Sequence, residues 1–556
     1  MQGFFALLEQ INAIMLSLPV LACLLGVGIL FTFWSGFAQY RSLTHGTALI
    51  TGHGIETGQG KGALTHFQAL SAAISGTVGL GNIAGVAIAV EFGGPGAVFW
   101  MWMVGLVGMA IKTTEVTLSM LHRDLSDPDD PHGGTMFVCR NGLGNLRPGW
   151  SRFGNWAGGF FCLGMLTFAI TGGNMFQAWS VADTTHAYFG VPTWISGAVL
   201  AVLVALVVLG GVKRIGTTAG RLVPFMCLIY MLAGIYVLII NAEQLPGIVR
   251  LIFQSAFAPA EAGGAFTGAA IGTAFIFGMK RALFSSESGL GTAPIAHSAV
   301  KTPEPATEGV VAGLEPFIDT IVVCTITALV ILSSGVWNRA PVAQWSEPPA
   351  MVEVSPGQWT PPSSALPANT AEAFSDGEQV FAVLALDGER QRIYGNVRID
   401  GTDLASIEWR ALDSAATPVL AEPGIFADYR GSTLAAKAFD SAQPGLGQWM
   451  VTAAVWLFAL STIITYGYYG EQGVAYFGGG VKAVRLYRGF WCVLVFVTTL
   501  GFIRTAGELD TLSTVGLGFM LVVNLPTMVI LGHQAMRCYR DYFRRLDAGQ
   551  IQRKQG

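Results

Sequence analysis

Residues Gly76 to Gly85 (Gly-Thr-Val-Gly-Leu-Gly-Asn-Ile-Ala-Gly) place four glycines inside an apolar run long enough to span a bilayer. Hydrocarbon offers no partner for a backbone N–H or C=O, so a helix broken at such a point must sit inside protein or line a cavity. The run also carries Ser71, Ser75, Thr77 and Asn82. Small side chains let neighbouring helices approach closely, whereas freed carbonyls beside hydroxyl oxygens are the hard ligands that a sodium-sized cation needs. Packing and solute binding are both open readings, and four glycines with an asparagine favour the site.

With 52% hydrophobic and 12% charged residues, the 556-residue chain is far more apolar than a soluble protein, in which about a quarter of residues are charged. The formal charge of -4 is small, and the basic residues sit in short loops rather than on one face. Nothing suggests a nucleic-acid partner. The seven cysteines fall within or beside apolar runs, as buried small hydrophobes rather than a disulfide framework.

Eleven apolar runs approach the length that spans hydrocarbon, at about 14–36, 66–92, 96–121, 156–187, 193–211, 222–241, 264–298, 310–335, 448–470, 489–507 and 511–532. The first is too long for a signal peptide and lacks a basic start, so it is expected to stay in the mature chain. With the C-terminus in the cytoplasm, the inner loops hold Arg41, Lys61, Arg123, Arg140, Lys213, Arg214, Lys301, Lys482 and Arg488 among others, and the short outer loops only Arg250 and Arg504. This asymmetry predicts an outer N-terminus. The reading divides the chain into helices 1–8 (residues 1–335), an outer segment (336–447), helices 9–11 (448–535) and a basic cytoplasmic tail (536–556). Within the outer segment, Gln379–Leu384, Arg392–Ile399 and Ser406–Leu412 alternate with period two, which predicts a small β-rich insert.

Span 7 is too long for one straight helix, and its Gly289-Leu290-Gly291 echoes Gly79-Leu80-Gly81. Glycine-interrupted spans in matching places point to an inverted repeat, here spans 2–6 and 7–11 with span 1 as an extra helix. Lys112 and Glu115 stand three apart on span 3, and Lys280 and Arg281 approach Glu287 on span 7. Charges inside a membrane are functional by default. Their depth, near the inner interface, favours Lys112, Glu115, Arg281 and Glu287 as an inner gate or anchoring network over direct substrate contact.

Three motifs are set aside, so no enzyme is expected. Gly79 to Ala84 fits a dinucleotide fingerprint but lies inside a span. Gly60-Lys61 is followed by Gly62 rather than a magnesium-binding hydroxyl. Ser286, Ser288 and His297 lack a nucleophile elbow.

Several stretches resemble the alanine or glycine:cation symporter family: Phe67–Ser71, Val78–Ala87, Gly93–Trp102, Phe284–His297 and Glu315–Thr320. The similarity covers nearly all of the membrane part and not the insert. It departs at Gly133–Val138, where the family has Gly-Gly-Pro-Met-Tyr-Tyr, and at Ser285–Ser288, where it has Ser-Asn-Glu-Ala.

The resemblance implies an all-α polytopic protein of the inner (plasma) membrane with a leucine-transporter-type core. Such a protein takes up a small neutral amino acid, alanine or glycine, with sodium and needs no cofactor. It further implies that Thr77, Gly79, Gly81 and Asn82 of span 2 bind substrate. Thr273, Phe275, Phe277 and Gly278 would join them near the break of span 7, as would Asn174 and Gln177 of span 4. Gly76 and Gly79 would share sodium with Ser461 and Thr462 of span 9. Interhelical hydrogen bonding is the plain alternative for Asn174 and Gln177 and back-bonding for Ser461 and Thr462. A non-transporting amino-acid sensor and a proton-coupled carrier are the competing functions; an acid is missing from the middle of span 2.

Overall fold

The computed structural model describes residues 2–52, 60–127, 131–257, 272–362, 377–386, 389–399, 405–429, 431–502 and 506–551. Among these, seven helices are long and apolar enough to cross a membrane, or eight if one bent pair counts as a span. They are α1 (Leu7–Trp34), α4 (Gly96–His122), α5 (Ser151–Phe189), α7 (Gly211–Ile240), α10 (Pro305–Ser334), α12 (Leu446–Tyr476) and α14, whose helix runs from Ala506 to Asp547. The bent pair is α2 (His66–Thr77) and α3 (Gly81–Gly93). This is a multi-pass membrane protein.

The tally is smaller than the eleven runs for identifiable reasons. The helix of run five, α6 (Thr193–Val208), has only 16 residues, and that of run ten, α13 (Val481–Thr498), carries Lys482, Arg485 and Arg488 within its 18. Run seven lies partly outside the described residues, and its described part is split into α8 (Thr273–Ser286) and α9 (Ala293–His297). The last helix runs on past residue 536, into the stretch expected as the tail. It continues to Asp547 because Tyr539, Tyr542, Phe543 and Leu546 bury an apolar stripe. Arg41 stacks over Phe543, 3.7 Å from its ring centre.

The start of α2 is fixed locally. Thr65 accepts from the Gln68 amide at 3.2 Å while the Gln68 side chain accepts from the Thr65 amide at 3.1 Å, a reciprocal cap that satisfies two orphan donors. The chain entering α2 also pairs with the end of the second broken segment, Ala63 and Leu64 donating to the Ala299 carbonyl at 2.8 and 3.0 Å. From there α2 and α3 pass through the bundle against α7, α8, α10 and α12.

Between α10 and α12, residues 343–427 form two sheets. One has the order β1 (Ala343–Gln344), β9 (Gly424–Ala427), β4 (Gln379–Leu386), β5 (Glu389–Ile399), β6 (Ala405–Trp409), with β8 (Val419–Leu420) also on β4. The other joins β2 (Val352–Ser355), β3 (Gln358–Thr360) and β7 (Leu412–Asp413). Strand β4 is buried on both faces. Val380, Ala382 and Leu384 pack with Ile393, Val397 and Ile407, whereas Phe381 and Val383 pack with Phe426 on the opposite face. Arg392 pairs with Val383 in register and reaches the end of α3, where Nη1 lies 2.5 Å from Glu91 Oε1. The chain returns through α11 (Ser432–Asp440), preceded by Gly431, at which a Cβ would lie 3.1 Å from Ala84.

Candidate functional site

The glycine cluster breaks its helix as the composition suggests. α2 ends at Thr77, Val78 turns to an extended conformation, and α3 restarts at Gly81 with the axis bent by 54°. Asn82 holds the break from within: its side-chain oxygen accepts from the Gly79 amide at 2.9 Å. Its amide nitrogen donates to the Asp319 carboxylate and lies 3.3 Å from the Cys324 sulfur. Gly81 faces the end of α8, where an added Cβ would lie 3.7 Å from the Phe284 carbonyl oxygen. Thr77 bonds back to the Ile74 carbonyl at 3.3 Å.

The α12 hydroxyls meet the end of α2 just before this break. Thr462 donates to the Ser75 carbonyl at 3.1 Å, Ser461 reaches the same oxygen at 3.4 Å, and Ser75 donates to the Ser461 carbonyl at 2.7 Å. Ser461 also bonds back to Phe458 at 2.9 Å, as a mid-helix serine often does. A Cβ on Gly79 would stand 3.0 Å from Thr462 Oγ1, and one on Gly76 would stand 3.3 Å from Thr465. The structure therefore brings Gly76, Gly79, Ser461 and Thr462 into one neighbourhood.

In span 7 the residues before Gly272 lie outside the described ones. Thr273, Phe275, Phe277 and Gly278 occupy the first turns of the continuous helix α8. Phe275 meets Trp100 edge-on at 4.8 Å, Phe277 stacks on Phe92 at 5.5 Å, and Gly278 lies against the Ala97 backbone, where a Cβ would be 2.4 Å from the carbonyl. That glycine serves close packing of α8 on α4. The chain breaks at Glu287–Thr292, with positive φ at Glu287 (51°), Gly289 (87°) and Gly291 (78°). A left-handed glutamate is costly unless its surroundings hold it. Here its carboxylate accepts from Thr292 at 2.6 Å and from the Tyr466 hydroxyl. Asn524 of α14 closes the turn, donating to the Gly289 carbonyl at 2.8 Å and accepting from Thr135 at the same distance.

Asn174 and Gln177 lie at and just after a π-helical turn of α5 (Ala169–Met175); the described contact of Asn174 is interhelical, whereas that of Gln177 stays within α5. Asn174 donates to the Trp491 carbonyl at 3.1 Å and Gln177 to that of Gly172 at 3.2 Å. Their side-chain oxygens are buried without a partner among the described residues. Gly173 beside them packs on Tyr466, linking this turn to the ring that binds Glu287.

Of the four gate residues, Lys112 and Glu115 stand together with their charged atoms 3.9 Å apart, Glu115 also accepting from Asn524 at 2.9 Å. Glu287 belongs to the neighbouring break. Arg281 is separate, stacked over Phe284 at 5.7 Å with Cδ 3.7 Å from the Cβ position of Gly85.

Five functional candidates go unselected as site residues by the sequence reading. Asp319, in the π-helical turn Phe317–Cys324 of α10, is fully buried against Asn82. His66, His297, Glu308 and Glu315 form a buried chain that ends on Lys112, Glu315 Oε2 being 3.0 Å from Nζ. Glu308, Glu315 and Asp319 carry a sequence signal of their own, as acids in or beside the otherwise apolar run 310–335. Short π-helical turns favour functional sites, and those at Gly81–Gly85, Ala169–Met175 and Phe317–Cys324 hold Asn82, Asn174 and Asp319.

A family model described as the sodium:alanine symporter family matches residues 1–361 and 414–555. The chain is 34% identical over 531 residues to the sodium/alanine symporter AgcS of Methanococcus maripaludis, covering 95% of each chain. It is 31% identical over 551 residues to a putative sodium/proton-dependent alanine carrier protein, YrbD, of Bacillus subtilis, covering 98% of this chain and 93% of that one. The crystal structure of MhsT in complex with L-phenylalanine aligns with 85% of this chain and 89% of its own at 13% identity and a TM-score of 0.47. The family match over both blocks of the chain, together with these full-length relatives, places the protein in the sodium:alanine symporter family.

Proposed function

We propose that the protein is a secondary active symporter of the inner membrane, taking up alanine or glycine with sodium by alternating access of a leucine-transporter-type core. One observation carries the reading. The broken span at Val78–Gly81 sits between the Asp319 carboxylate, which accepts from Asn82 and Thr320 and faces no cation in direct contact among the described residues, and the hydroxyls of Ser461 and Thr462. An amino-acid zwitterion needs donors for its carboxylate and an anion for its ammonium, and both are within reach of Asn82. The backbone around Thr77, Gly79 and Gly81, where Asn82 would exchange its hold on the Gly79 amide for the substrate, would receive the carboxylate, and Asp319 the ammonium. The oxygens of Asn174 and Gln177 would complete the polar lining. Sodium would take the carbonyls of Gly76 and Gly79 with Ser461 and Thr462, an all-oxygen set suited to a hard cation. Glycines at these positions leave space for a very small side chain only.

On this reading Lys112, Glu115 and Glu287 brace the second break as an inner gate, and Arg281 steadies the π turn of α3. The N-terminus and residues 336–447 face outward, and the C-terminus lies in the cytoplasm. The sodium and alanine in the relatives' names support the choice of solutes.

Uptake of labelled alanine and glycine into proteoliposomes tests the proposal. Accumulation driven by an inward sodium gradient, and lost in Asn82→Ala and Ser461→Ala, is the expected result. Binding without accumulation under any gradient would replace symport by sensing, and equal uptake without sodium would replace sodium by another coupling ion.

A further inference from the structure

The buried chain from His66 to Lys112 is not needed to hold an amino acid or sodium. His297 closes α9, directly after the second break, and is wholly buried between two carboxylates: Nδ1 lies 2.5 Å from Glu308 Oε1 and Nε2 lies 2.6 Å from Glu315 Oε1. The second oxygen of Glu308 meets His66 Nδ1, and that of Glu315 meets Lys112. Each gap of this length must contain a hydrogen, because two lone pairs facing one another at such a distance repel. A neutral imidazole has one N–H. The trio Glu308–His297–Glu315 therefore holds at least one proton beyond a neutral histidine and two ionised carboxylates.

The surroundings make that proton an exchangeable charge. Lys112 and Glu115 of α4 face the chain on one side and His66 of α2 on the other. Arg123 lies within electrostatic reach of Glu308, and Tyr469 of α12 within reach of Glu315, Glu287 and Glu115. Glu308, Glu315, Glu115 and Glu287 outnumber the cations Lys112 and Arg123, so a proton on the histidine brings the group closer to neutrality, which a low-dielectric interior strongly favours. The chain ends at His66, whose ring keeps 8% exposure while its Nε2 is buried without a hydrogen-bond partner among the described residues. At the other end, Glu115 reaches Asn524, which binds the Gly289 carbonyl within the second break. Nitrogen and oxygen atoms held at hydrogen-bond distance from one another along the chain are the arrangement that a shared proton makes.

We propose that Glu308, His297 and Glu315 form a proton-binding site, filled and emptied through His66, whose occupancy changes as the two breaks rearrange on sodium binding. The transfer balances without a co-reactant. As His66 takes a proton at Nε2 it gives the one on Nδ1 to Glu308 Oε2, and the proton on Glu308 Oε1 passes to His297 Nδ1, leaving His297 doubly protonated with Nε2–H donating to Glu315 Oε1; each N–H or O–H bond broken is replaced by one formed. The inference takes sodium as the coupling ion from the proposed function but needs no amino acid.

The test uses the purified full-length protein in weakly buffered detergent solution with a pH-indicator dye, adding sodium without alanine. A movement of about one proton per protein, absent in His297→Gln and in Glu308→Gln, is expected; the two variants guard against a folding defect in either. Histidine-15N spectra of the wild type, which need no variant, should contain a doubly protonated imidazolium. No sodium-induced proton movement in the wild type, or the same movement in both variants, overturns the site. Failure of alanine uptake alongside normal proton movement would instead count against the transport reading and leave the site standing.

Discussion

The ion pair between Arg392 and Glu91 makes a firm quantitative demand. It joins β5, which lies in the 362–413 stretch that the family model does not match, to the last turn of the broken span. The two side chains are 1% and 0% exposed, and Arg392 also lies 5.0 Å from the Phe92 ring centre and 4.3 Å from that of Phe381. Arg392→Met keeps the stem and most of its packing but leaves Glu91 buried without its nearest cation. Removing one partner of a buried pair costs about 3–5 kcal/mol. Arg339 also acts on Glu91 electrostatically, so the lower end of that range applies, roughly a hundredfold in the opening equilibrium at 1.4 kcal/mol per tenfold. Amide hydrogen exchange across β4, β5 and the end of α3 reads that equilibrium locally. Faster exchange by roughly this factor is expected in Arg392→Met, with most of the protection restored in the double variant Glu91→Leu/Arg392→Met, because replacing both charges removes the desolvation problem. A change below about threefold (under 1 kcal/mol), or a double variant as exposed as the single one, would refute the idea that this pair locks the sheet to the span.

Further outcomes follow from the same geometry. Asp319→Asn keeps a partner for Asn82 but removes the only acid in contact with it among the described residues, and should weaken alanine binding by about 1.5–3 kcal/mol, the range for hydrogen bonds to charged groups, as read by equilibrium binding. Gly291→Ala combines a positive φ of 78° with a Cβ 2.1 Å from Thr135 Oγ1, so a lowered thermal midpoint in detergent is expected. Gly278→Ala should destabilise through the Ala97 carbonyl instead, without abolishing substrate binding, since this residue packs α8 on α4. Gly79→Ala would press on Thr462 Oγ1 and should raise the sodium concentration needed for uptake while leaving the fold intact by circular dichroism.

The first break was legible because a bilayer penalises exposed backbone and few sequences afford four glycines within ten apolar residues. The second was only half legible. Gly289-Leu290-Gly291 marks it, yet Gly272 and Gly278 drew the expected binding residues ten positions upstream. Sequence does not distinguish a glycine required for positive φ, as at Gly289 and Gly291, from one required for close approach, as at Gly278. Lys112 and Glu115 announce themselves as neighbours on one helix face, but the partners that matter most to Lys112 and Asn82, namely Glu315 and Asp319, come from α10, some two hundred residues away. Arg392 and Glu91 are three hundred residues apart, and nothing local in either segment signals the other.

Equilibrium alanine binding to the purified protein, measured across a range of sodium concentrations in the wild type and in Thr462→Val, tests most directly whether the break at Val78–Gly81 and the α12 hydroxyls form one coupled site. Linkage requires sodium to tighten alanine by the same factor as alanine tightens sodium, typically about 5–150-fold in coupled systems. The account expects a factor of this size in the wild type, largely lost in Thr462→Val while alanine binding without sodium is unchanged. Alanine affinity independent of sodium, or full coupling retained in Thr462→Val, would contradict it.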